Sequence, residues 1–330
     1  MNENIIFKKV IGLDRVITDF KKNISSRNNQ IWMLIGKRGV GKRTLSMRLA
    51  AYIINNFSDG WESSQLTSEI FNKKNDNLFY IAPIDENKSG QITKDQIDFL
   101  LSNFKLFSNN LNKRVVIIDK FNWLTSSAMN SMLKLLEEPP NGLYFFLIVD
   151  ESKNVLTTIQ SRSQKLLINK LNKEDCIEIL KQNNYKNDED KLDEIVNLSD
   201  FSPGVALELI SLSATNLYQE LLNTFFEKNK IQVLSKKLAT SSKNLISNIW
   251  LVEFLLKRLL TLCIKYSLDK RLVEKYLIFN EVEVLNNINK NNDKNDLLEI
   301  IDDLNSRLDR VKTFNLSLEL EIFQFLNKFH

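Results

Sequence analysis

Residues 36–44 read GKRGVGKRT, between an apolar run at 31–35 and a helical pattern over 45–55. A glycine-rich turn joining a buried strand to a helix is what a polyphosphate-binding loop requires. Gly36, Gly39 and Gly41 are expected to take positive φ and turn N–H groups inward, and Lys42 supplies a point charge. The full pattern puts a hydroxyl directly after the lysine to hold Mg²⁺. Here that position is Arg43, and Thr44 comes one residue late. One helical residue is about 100° of rotation, so Thr44 is not expected to replace the missing hydroxyl.

The surroundings of the loop predict a parallel sheet covered on both sides. Further apolar strands are expected at 78–82, 114–118, 144–149 and 165–168, separated by helical patterns. The helices are expected at 13–28, at 93–107 with Thr93 and Gln96 as a capping box, and at 125–137, stopped by Pro139 and Pro140. Residues 58–77 predict no definite element. After residue 172 no strand is expected. Short helices begin near Lys173, near Asp188 and at Ser202-Pro203, and 215–330 is helical, with an Asn/Lys-rich loop at 286–295. A chain of 330 residues suits several domains. The boundaries fall at 1–168 for an α/β domain, 169–213 for a three-helix unit and 214–330 for a helical domain.

Residue usage removes whole classes of chemistry. The one histidine is His330, which excludes Ser-His-Asp and Cys-His catalysis and histidine-rich metal sites. Cys176 and Cys263 lie far apart in helical apolar patterns and read as core residues, so neither a disulfide nor zinc is expected. No run of about 18 apolar residues and no leader pattern is evident, which predicts a cytoplasmic protein without a membrane span. A net charge of +4 is compatible with nucleic acid and equally with a solvated, lysine-rich surface. Lys113, Arg114 and Arg48 read as solvated positions of that kind.

Two residues decide whether the loop can do chemistry. Asp119 closes the 114–118 strand about eighty residues after Lys42, where a carboxylate can hold the water shell of Mg²⁺; its plainer role is to cap the strand. Hydrolases of this kind follow it with a glutamate that orients water. Here Lys120 follows, and a cationic lysine cannot accept the proton.

The sequence DKFN at 119–122, followed by AMNSMLKLLEEPP at 128–140, resembles the magnesium-aspartate strand and next helix of bacterial clamp-loader subunits. TIQSRS at 158–163 is similar to that family's TIxSRC element, with Ser163 for cysteine, and SPGVAL at 202–207 to its sensor 2 turn. The resemblance runs in order from Ile11-Gly12 to about residue 210. It implies an AAA+ P-loop domain, a helical lid and an all-α collar.

Within the family, Arg43, Lys120 and a Gly204 or Val205 in place of the sensor 2 arginine, together with a retained Arg162, resemble the delta-prime subunits of DNA polymerase III. That likeness implies a ring-capping, hydrolysis-incompetent subunit, with Arg162 as an arginine finger in a gamma/tau neighbour's ATP site. The implied partners are the gamma/tau and delta subunits and, indirectly, the sliding clamp and primer-template DNA. ATP and Mg²⁺ at Gly36, Gly39, Gly41, Lys42, Thr44 and Asp119 are not required by this reading. The cysteine-bearing zinc module of many relatives has no counterpart at 58–77. A catalytically active gamma/tau-like ATPase, or a nucleotide-responsive adaptor in another DNA transaction, remain the alternatives.

Overall fold

Alternation along the strands decides the architecture around the loop. In the computed structural model, which describes residues 10–26, 30–57, 65–84, 91–106, 113–150, 155–185 and 189–330, five strands form one sheet. They are β1 (Ile31–Ile35), β2 (Leu78–Ile81), β3 (Arg114–Ile118), β4 (Leu143–Val149) and β5 (Gln164–Leu167), all parallel, in the order β2-β3-β4-β1-β5. Ile31 pairs with Phe145 and Ile35 with Val149. Successive strand residues face opposite sides. Trp32, Leu34, Val115, Ile117, Phe146 and Ile148 therefore enter one core, and Ile31, Met33, Val116, Ile118, Phe145 and Leu147 the other. With both faces covered, the strands have to be apolar throughout.

The first core is closed by α1 (Asp14–Ser26), α2 (Lys42–Ile54) and α3 (Gln65–Phe71), and the second by α4 (Lys94–Leu106), α5 (Ser126–Glu137) and α6 (Thr157–Arg162). Thr125 caps α5 by accepting the Ala128 N–H at 3.2 Å, and Gln96 Oε1 accepts the Thr93 N–H at 3.0 Å before α4. Residues 27–28, 58–64, 107 and 188, within stretches read from the sequence, lie outside the described residues.

Three expectations need correction. First, α3 forms where no definite element was expected; its Thr67, Ile70 and Phe71 are buried against α2. Second, Arg48 is consequently only 2% exposed, its guanidinium 5.9 Å from the Phe71 ring centre, and not on a solvated face. Lys113 is likewise drawn in: its ammonium lies 3.3 Å from the centre of the Phe57 ring, and partial burial lowers its pKa. Third, the loop expected at 286–295 is two helices, α13 (Glu281–Asn291) and α14 (Lys294–Phe314), with a two-residue joint. Val284, Leu285 and Ile288 bury one face of α13. Asp293 accepts N–H bonds from Asn295 and Asp296 while Asp296 answers its own N–H, a capping box that restarts the helix at once. Asn/Lys composition suggested a loop, but the apolar spacing and the cap prevailed.

The chain divides into two compact units. One takes Met1–Lys186 with Phe201–Val205 and holds the sheet and α7 (Lys173–Gln182); the other takes Asn187–Asp200 with Ala206–His330. The second unit is all helical: α8 (Glu189–Leu198), most of α9 (Pro203–Ser211), α10 (Ala214–Thr224), α11 (Ile231–Ala239), α12 (Leu245–Leu268), α13, α14 and α15 (Leu318–Leu326). The 169–213 stretch is thus shared between the units. In α12, Leu251, Leu255, Leu259 and Leu262 bury one stripe; Leu318, Ile322 and Phe325 are buried on α15, while Leu316, just before it, is 42% exposed. Cys176 and Cys263 are buried and unpaired, and burial pushes both thiols up to about 12, which leaves them unreactive. Among the described residues no helix is long and apolar enough to cross a membrane.

Candidate functional site

The phosphate loop is built at the carboxyl end of β1, where open parallel sheets bind their ligands. Gly39 has φ +79° and Gly41, which precedes α2, has φ +95°. Gly36 is not in the left-handed region, contrary to expectation. It is a glycine because a Cβ there would lie 2.3 Å from the Ile168 carbonyl oxygen. The turn before α9 closes over the loop: the Gly204 N–H donates to Gly39 O at 2.8 Å, and a Cβ on Gly39 would meet Val205 N at 2.5 Å.

Lys42, the first residue of α2, is 7% exposed. Its ammonium donates to Gly36 O at 2.5 Å, Lys37 O at 2.8 Å and Asp150 Oδ1 at 2.8 Å. An ammonium has three N–H donors, so all three are engaged within the chain.

Asp119 follows β3 and accepts the Tyr80 hydroxyl at 2.5 Å. The Arg43 Nε lies 4.0 Å from the same carboxylate oxygen, and its guanidinium 5.0 Å from the Tyr80 ring centre. Thr44 is half-buried in the first turn of α2. Lys120 has φ 57° and its ammonium is 4.8 Å from the Trp123 ring centre. Gly36, Gly39, Gly41 and Lys42 lie together in the turn from β1 to α2, and Arg43, the next residue, reaches toward Asp119. As placed, this donor set does not fit a magnesium–polyphosphate: the lysine is saturated, and a guanidinium stands beside the carboxylate that would face the metal.

Arg162 ends α6 and lies elsewhere. It borders a recess with Ile31, Leu133, Leu136, Glu137, Thr158 and Ile159. Its Nη1 donates to Thr158 O at 3.0 Å, and its Nη2 is 3.9 Å from Glu137 Oε1. Ile31 begins β1 whereas the loop follows its end, and five strand residues span about 16 Å. Arg162, 44% exposed, thus belongs to the edge of the sheet opposite the loop of its own chain.

A family model described as DNA polymerase III, delta subunit, matches residues 12–172. The delta' subunit of Bacillus subtilis (strain 168) is 29% identical over 142 residues, 42% of each chain, and that of Buchnera aphidicola subsp. Baizongia pistaciae is 32% identical over 130, covering 37% of this chain and 38% of that one. Over residues 12–172, just under half of its length, the chain is similar to the clamp-loader family. The gamma subunit of Buchnera aphidicola subsp. Schizaphis graminum is 25% identical over 213 residues, 62% of this chain and 57% of that protein. The chain spans about half the length of the first curated relatives it matches.

Two residues of this site escaped the sequence reading. Asp150 is the first polar residue after β4, the strand beside β1, and Tyr80 lies near the end of β2. The signal available was position: the residue that follows a wholly apolar strand next to the loop strand faces the ligand edge.

Proposed function

We propose that the chain is a delta-prime-type subunit of the DNA polymerase III clamp loader: it hydrolyses no ATP itself and lends Arg162 to a neighbouring gamma/tau-type subunit. The observation that carries this reading is the placement of Arg162, exposed at the sheet edge opposite its own loop and so available to a second subunit. The matched delta' and gamma relatives supply the setting, which is replication and sliding-clamp loading. A guanidinium stays charged at any working pH and can grip two phosphate oxygens, so it stabilises the charge that builds on a transferring γ-phosphoryl group. Fingers supplied in trans are worth about 10³–10⁵ in rate where they are best measured. The other partners on this reading are the delta subunit and, through the assembled ring, the sliding clamp and primer-template DNA.

The test is the ATPase rate of a ring reconstituted with Arg162→Ala. Assembly is expected to persist on size exclusion while turnover falls by at least about tenfold, with Arg162→Lys recovering only part of it. An unchanged rate would remove Arg162 from the mechanism. The gamma-subunit relatives favour a second reading, an active ATPase. Lys42-dependent hydrolysis by the isolated chain would establish that reading instead.

A further inference from the structure

We infer that the nucleotide loop carries its own counter-ions: Asp150 stands in for the phosphate at Lys42, and Arg43 stands in for the metal at Asp119. The first substitution rests on geometry. Lys42 is buried and its three donors end on Gly36 O, Lys37 O and Asp150 Oδ1. A polyphosphate entering the loop has to displace that carboxylate and then remain beside its negative charge. Opposed like charges at a partly desolvated site are costly, and with Asp150 38% exposed the repulsion is softened rather than removed.

The second substitution is the mirror of the first. In a magnesium-dependent loop the aspartate after the strand faces a divalent cation. Here Asp119 faces the Arg43 guanidinium at 4.0 Å and holds the Tyr80 hydroxyl, while Arg43 also lies over the Tyr80 ring. The cation is covalently part of the chain, and it occupies the position whose hydroxyl would have ligated the metal. Each charge that a metal–nucleotide would bring is already matched from within. The inference concerns this chain's own loop and stands whether or not Arg162 acts on a neighbour.

The test uses the purified full-length chain and fluorescent ATP and ADP analogues, titrated with and without excess Mg²⁺. Wild type is expected to show no saturable binding below about 1 mM. Asp150→Asn keeps an acceptor for Lys42 and removes the charge, so affinity is expected to rise at least about tenfold, equally in Mg²⁺ and in chelator. Adding Arg43→Ser restores the hydroxyl after the lysine and is expected to make binding magnesium-dependent. Asp150→Ser serves the same comparison should Asp150→Asn not fold, with circular dichroism as the check. Wild-type affinity equal to that of a folded Asp150 variant, or no binding by either folded variant, would overturn the role of Asp150. Magnesium-dependent binding by Asp150→Asn with Arg43 intact would overturn the role of Arg43.

Discussion

At the scale of single residues, the three loop glycines answer to different forces, and this separates their substitutions. Gly39 combines positive φ with backbone packing, since an added Cβ would sit 2.5 Å from Val205 N. Gly41 has positive φ, but its added Cβ would meet only Leu13 Cδ1, at an ordinary 3.8 Å. Left-handed strain alone costs about 1–2 kcal/mol for an L-residue. Gly41→Ala is expected to lose about that much in urea unfolding, and Gly39→Ala distinctly more. A loss at Gly39 no larger than at Gly41 would mean that the 203–205 turn does not press on the loop. The motif made the glycines and Lys42 legible from the sequence. It could not disclose Asp150, which is 108 residues from Lys42 and becomes its partner only because β4 lies beside β1.

At the scale of elements, periodicity located the five strands and most helices, and it failed where composition was allowed to outweigh it. The asparagines of 286–295 suggest a loop, yet the stretch folds as parts of α13 and α14. In the folded chain those amides tie helices together: Asn287 Nδ2 donates to Phe225 O and Asn289 Nδ2 to Cys263 O. A second network was invisible because its members are scattered along the sequence. Glu281, wholly buried at the start of α13, accepts the Tyr218 hydroxyl from α10 at 2.5 Å, Arg258 Nε from α12 at 3.1 Å and the Ile278 N–H at 2.8 Å. Arg258 also donates to Asn197 O, at the end of α8, and to Tyr276 O. Burial, and then Glu281, hold the Tyr218 hydroxyl well above its usual pKa, so it remains a donor. Removing one partner of a buried ion pair strands the other charge and costs about 3–5 kcal/mol, whereas losing one hydroxyl costs about 1–3. Glu281→Ala is therefore expected to destabilise the helical unit about twice as much as Tyr218→Phe in guanidinium unfolding. Equal losses would show that the carboxylate is not the hub.

At the scale of the whole molecule, the two units set the expected thermodynamics. The sheet unit holds apolar cores on both of its faces, and the helical unit buries its own stripe along α12. A chain of 330 residues divided in this way is not expected to unfold as one cooperative block. Calorimetry is expected to resolve more than one transition, with Glu281→Ala lowering one and leaving the other in place. A single transition whose calorimetric and van't Hoff enthalpies agree would show one cooperative unit instead. The α/β class, the helical remainder and the family likeness were all legible in the sequence because they depend on local patterns. The division into units was less so, because Phe201–Val205 joins the sheet unit across the chain.

That crossing segment brings Gly204 against Gly39, each occupying the space the other's side chain would need: a Cβ on Gly204 would lie 2.9 Å from Gly39 Cα. The close packing of the two backbones thus requires a glycine at both positions. Substitution at either glycine is therefore opposed by packing alone, with or without nucleotide. Gly39 is thus a requirement of the fold, and its presence says nothing of whether the loop binds a ligand.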